Sequence, residues 1–133
     1  MSPSNETELL ACIVDLAAST GWWLHHDRPA RTEHGWRTAV QGNAGFPDCL
    51  LGRDGVVLIR ELKGRYEKLT PAQLAWAQRL APGWREVRAA LPDDETRLVF
   101  DVWRPQDWDT RIVPLLTAPR RGGVDYRSRV PDG

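Results

Sequence analysis

Phe46-Pro47-Asp48-Cys49-Leu50-Leu51-Gly52-Arg53-Asp54-Gly55-Val56-Val57-Leu58-Ile59-Arg60-Glu61-Leu62-Lys63 is two apolar runs joined by Asp-Gly. Asp-Gly between such runs signals a two-residue type I′ turn and hence a β-hairpin. That turn sets Arg53 opposite Val56, and counting outward sets Asp48 opposite Glu61. Side chains alternate along a strand, so Lys63 shares the face of Glu61 while Leu62 points the other way.

Two carboxylates facing each other across a strand pair have Cβ atoms about 4.5–5.5 Å apart and repel. At an effective dielectric near 20 the repulsion is on the order of 3 kcal/mol. A divalent cation between them reverses its sign. Carboxylates are hard oxygen ligands that suit magnesium or manganese rather than zinc. Lys63 beside such an ion is placed to position or deprotonate a water. The plainer alternative is a solvent-facing Glu61–Lys63 ion pair with Asp48 merely starting a strand.

The chain has 133 residues and a formal net charge of zero. That length suits one domain with a normal core. With no global field, binding to a polyanion must rest on local patches. Arg28, Arg31 and Arg37 form one, and Arg120, Arg121, Arg127 and Arg129 form another in the C-terminal tail. Cys12 and Cys49 fall in segments that read as buried, and His25, His26 and His34 lack zinc-ligand spacing with them. No run reaches membrane-spanning length and the polar start is no signal peptide, so the expectation is a soluble cytoplasmic protein.

Residues 5–20 read as a helix capped by Asn5, with Leu9, Ile13, Leu16 and Ala17 on one stripe and Gly21 ending it. Trp22–His26 reads as a strand and residues 27–45 as a long loop. After the hairpin, Thr70-Pro71-Ala72-Gln73 opens a second helix that runs to about Leu80. Arg97–Arg104 reads as a further strand, and a final helix runs from Pro105 to about Leu116. The hairpin is apolar on both faces, with Leu50, Val57 and Ile59 on one side and Leu51, Leu58 and Leu62 on the other. The order α-β-β-β-α-β-α therefore predicts an α/β sandwich whose mixed sheet is covered by helices on both sides. Residues 1–117 form the expected domain and 118–133 a flexible basic tail.

Gly45-Phe46-Pro47-Asp48, Glu61-Leu62-Lys63, Gln73-Leu74-Ala75-Trp76 and Trp103-Arg104-Pro105-Gln106-Asp107-Trp108, behind a first helix carrying Glu8, resemble the PD-(D/E)XK nuclease superfamily. Within it they are most similar to the VRR-NUC group, which includes small phage and bacterial members related to Holliday-junction resolvases. The resemblance implies a restriction-endonuclease-like core. It also implies metal-dependent hydrolysis of DNA, leaving 5′-phosphate and 3′-hydroxyl ends.

On that resemblance Asp48, Glu61 and the Leu62 carbonyl would hold Mg2+ or Mn2+, and Lys63 would activate the attacking water. Glu8 would complete the acidic cluster through a water or a second ion, although its place three residues after Asn5 also suits a capping box. Gln73 would reach the site from the helix start, although it too lies three residues after a cap, Thr70. Arg28, Arg31, Trp36, Arg37 and Arg65 are the candidate DNA contacts. Trp76, Trp103 and Trp108 read as core. The expected activity is a structure-selective endonuclease on branched, flap or junction DNA, with a homodimer needed for symmetric cutting. The alternatives are a non-catalytic nucleic-acid-binding module and a nuclease acting on ordinary duplex.

Overall fold

Asn5 begins the first helix, α1 (Glu6–Thr20), by accepting the Glu8 backbone N–H at 2.9 Å. Leu9, Ile13 and Ala17 recur at helical spacing and are fully buried. Gly21, at φ 82°, ends the helix in the left-handed region that favours glycine. The computed structural model describes residues 2–27, 30–32, 35–37, 41–86 and 98–120.

Among the described residues six strands follow in the order β1 (Trp23–His26), β2 (Ala30–Thr32), β3 (Gly35–Arg37), β4 (Cys49–Arg53), β5 (Val56–Leu62) and β6 (Phe100–Trp103). The main sheet runs β1-β4-β5-β6. Its first two pairings are antiparallel and β5–β6 is parallel. The chain is thus an α/β protein with a four-stranded mixed sheet. The connection from β5 to parallel β6 passes through the second helix, α2 (Pro71–Leu80).

Two of the expected elements change. The stretch read as a loop contains a small hairpin, β2 paired with β3. Its strands have three residues each, too short for an alternating pattern to register. The last segment is not one α-helix. It winds as a 3₁₀ turn (Pro105–Asp107), a wide π turn (Trp108–Ile112) and a short α-helix, α3 (Val113–Leu116). Pro114 explains the wide turn, because its ring lacks an N–H and crowds the carbonyl four residues back.

Both sheet faces carry a core, but unequally. Leu51, Leu58, Leu62 and Trp103 pack under α1 and the final turns with Leu9, Ile13, Ile112 and Leu116. On the other face Ile59, Phe100 and Val102 pack under Ala77 of α2. The ten residues of α2 span about 15 Å. Leu50 and Val57, expected under a helix, remain 38% and 47% exposed. The buried charges on the β6 side are paired: Arg111 with Asp101, and Arg104 with Glu86 at 2.6 Å.

Candidate functional site

Asp54 and Gly55 have φ of 52° and 81°, both positive as a type I′ turn requires. The ladder then runs from Arg53↔Val56 to Cys49↔Arg60. The next step outward places Asp48 against Glu61. The Asp48 Oδ2 accepts the Leu62 backbone N–H at 2.8 Å. The Asp48 carbonyl accepts from His26 Nδ1 at 2.9 Å, so β1 helps hold the residue.

The approach to Asp48 is set by Gly45. A Cβ there would lie 2.7 Å from the Ala72 carbonyl carbon, and φ is +89°. Only glycine lets this loop close on the start of α2. Phe46 then meets Trp76 edge-to-face at 5.1 Å, and Trp76 Nε1 donates to the carbonyls of Asn43 and Ala44 at 3.2 and 3.0 Å. Pro47 is buried between this anchor and Asp48.

Glu61 is 3% exposed and hydrogen-bonds to Asp48. Burial first, then the Asp48 charge, pushes its carboxyl up to about 9, against a smaller downward pull from Lys63. Glu61 therefore holds a proton at neutral pH. The same surroundings push the Cys49 thiol up to about 12, through burial and then Asp48 and Glu61. Cys49 and Cys12 are both free.

Gln73 closes the cap of α2 and also reaches Glu61. It completes the cap with Thr70, its backbone N–H donating to Thr70 Oγ1 at 3.2 Å and its Oε1 accepting the Thr70 N–H at 2.9 Å. Its Nε2 donates to Glu61 Oε1 at 3.0 Å. Lys63 is 4% exposed, with Nζ 3.6 Å from Glu67 Oε2. Asp48, Glu61, Lys63 and Gln73 thus come together.

Glu8 does not join them. Its Oε2 accepts from Ser4 Oγ at 2.7 Å and Asn5 Nδ2 at 3.0 Å, closing the cap of α1. Glu6 takes the place expected of Glu8. Burial, then Glu67 and Asp48, raise its carboxyl above the usual range, and it hydrogen-bonds to Glu67. Residues two apart on a helix point about 200° apart, so Glu6 and Glu8 cannot serve one site. The signal was present: Glu6 continues the buried stripe of Leu9, Ile13 and Ala17 by one turn. Glu67 was also missed. The Gly64 N–H donates to its Oε1 at 3.2 Å and, with Lys63, holds its carboxyl low.

Arg104, bound to Glu86, donates to the Gly64 carbonyl at 2.6 Å, and Gln106 donates to that of Arg65 at 2.9 Å. The turn after Lys63 is thereby fastened to the segment after β6. Arg65 itself is exposed. Arg28 and the side chains of Arg31, Trp36 and Arg37 lie outside the described residues, although Arg31 and Trp36 face each other in the β2–β3 register. Trp103 is fully buried as expected and Trp108 half-buried against the same core. Trp76, read as core, is only half-buried.

Among the described residues no group of three or more His, Cys, Asp or Glu side chains is disposed to hold a metal ion. The available donors are the Asp48–Glu61 carboxylate pair and neighbouring backbone oxygen. Magnesium is commonly held by one or two carboxylates, with waters and substrate oxygens supplying the rest. A buried acid that keeps a proton through burial first and a facing carboxylate second is a donor that such an ion fits. No helix among the described residues is long and apolar enough to cross a membrane. No protein-family model, curated protein or solved structure matches this chain.

Proposed function

We propose that the chain is a magnesium- or manganese-dependent DNA endonuclease of the PD-(D/E)XK type, similar to the VRR-NUC group. The observation that carries this reading is one facing pair of carboxyls, Asp48 and Glu61, hydrogen-bonded to each other at the end of the β4–β5 ladder beside buried Lys63. The order of the sheet, with α1 and α2 on opposite faces, supports a restriction-endonuclease-like core.

Asp48, Glu61 and the Leu62 carbonyl would hold the ion. Bound there, it supplies Lewis-acid stabilisation of the phosphate and acidifies a water. Gln73 holds one Glu61 oxygen and so orients the carboxylate. Asp48 is oriented by the Leu62 N–H and by His26. Lys63 keeps its ammonium beside the acids, where it aligns the attacking water and offsets charge developing on the phosphate. The buried surroundings strengthen each of these contacts.

A non-catalytic binding module of the same shape is the second reading. The retained Asp48–Glu61 pair disfavours it, since a chain freed from catalysis gains nothing from a buried acid whose ionisation is so strongly opposed. Cleavage with magnesium, with manganese and with chelator, on linear duplex, flap, single-stranded and four-way-junction DNA, tests the proposal. Metal-dependent cutting that is lost in Asp48→Ala is the expected result. Binding without cutting under every condition would overturn it in favour of the module. Faster cutting of branched DNA would support structure selectivity, and a homodimer would then be expected for symmetric incision of a junction.

A further inference from the structure

Beside the site lies a groove of about 250 Å³ lined by Asn43, Ala44, Ala72, Ala75, Trp76 and Arg79. We propose that it seats an unpaired nucleobase of the strand being cut, next to the scissile phosphate. This rests on the nuclease reading above for the position of that phosphate.

Location is the first reason. Gln73, which touches Glu61, and Trp76, which walls the groove, are three residues apart on α2. That separates them by about 4.5 Å along the helix axis. Ala44 lies four residues before Asp48, so the two are within about 14 Å even if the chain is fully extended. A strand whose phosphate reaches Asp48 and Lys63 therefore has this groove within reach.

Chemistry is the second. The indole of Trp76 is held in one orientation by the carbonyls of Asn43 and Ala44 and by the edge-to-face contact with Phe46. A fixed aromatic wall binds a base by stacking, whatever its sequence. Among the described residues Arg79 is the one charged residue in the lining, and it is exposed on the last turn of α2. Its Nη1 donates to the Ala75 carbonyl at 3.0 Å, which leaves the other guanidinium nitrogens to meet a phosphate. Small Ala72 and Ala75 provide the space. A base within a duplex is stacked on its neighbours and is not available to enter; an unpaired one is.

The test uses the full chain and synthetic splayed duplexes carrying 2-aminopurine at the unpaired position beside the junction. Binding is followed by fluorescence in chelator, so it does not depend on cleavage. Seating beside Trp76 changes the emission, and Ala75→Met, which fills the groove, removes that change. Arg79→Ala weakens binding of the splayed DNA by about tenfold, as removal of a cation facing a phosphate should. Both variants should retain the circular dichroism spectrum and Tm of the parent, since Ala75 and Arg79 are exposed. In cleavage, Ala75→Met should bring the kcat/KM ratio of splayed to fully paired DNA toward one. Emission that is unaltered on binding, or altered equally in Ala75→Met, overturns the proposal even if the protein cuts DNA. Absence of cleavage with a groove-dependent emission change would instead overturn the nuclease reading and uphold the base seat.

Discussion

Glu61 is a buried acid whose charged form is disfavoured by its surroundings and by Asp48. Its folded pKa, about 9, lies above the ordinary 4.5. The folded state therefore binds a proton more tightly than the unfolded state. Without metal, its contribution to stability is fully present below about pH 4.5 and is lost as pH rises to about 9. The slope is on the order of 1.4 kcal/mol per pH unit across that window. Thermal melts in chelator should show Glu61→Gln losing less stability than the parent between neutral and alkaline pH. Parallel pH profiles would contradict this. In activity, Glu61→Gln should lower kcat by at least about a hundredfold, because an amide neither accepts the ion's charge nor balances Lys63. Steady-state cleavage rates check it.

Glu6 and Glu8 separate the two tasks performed at the start of α1. Glu8→Ala should cost about 1 kcal/mol of stability through the lost cap and leave the cleavage rate near that of the parent. Glu6→Gln should leave the cap intact and lower the rate. Reversed effects in melts and rate assays would return the site to Glu8. Gly45 makes a related point about the loop before Asp48. Gly45→Ala places a methyl against the Ala72 backbone at a positive φ. It should destabilise the fold by about 2–3 kcal/mol and reduce cleavage more than binding, as denaturant titrations and paired binding assays would show.

How much of these elements could be read from residues alone follows from how local their causes are. Asp54-Gly55, the Asn5 cap and the Thr70–Gln73 box each act within a few residues, so the hairpin register and both helix starts were legible. The Asp48–Glu61 pairing was legible too, because it follows from the turn by counting. The distinction between Glu6 and Glu8 required choosing the buried face of α1 over a motif position. The bond between Glu67 and the Gly64 N–H depends on a turn fastened by Arg104 and Gln106 from about forty residues away. No local pattern encodes it.

At the scale of the molecule, the sheet is largely buried on one face and less so on the other. Apolar composition told which strands face a core, but not how far α2 reaches. Hence Leu50 and Val57 were expected to be covered and are open. With zero net charge, the proposed DNA binding would rest on local arginines. Replacing Arg28 and Arg31 together with glutamine should flatten the dependence of log K on log salt by about 0.9 for each phosphate that is no longer neutralised. An unchanged slope in filter-binding titrations would remove that segment from the interface.

On the proposed function, the Asp48–Glu61 pair exchanges the proton held on Glu61 for one hard cation. Calorimetric titration of the metal-free protein with manganese at pH 7, in two buffers of different ionisation enthalpy, measures the protons released on binding. About one proton per ion is predicted for the parent, with both the binding and the release abolished in Glu61→Gln. Equal affinity in parent and variant, or binding with no proton released, would contradict the account.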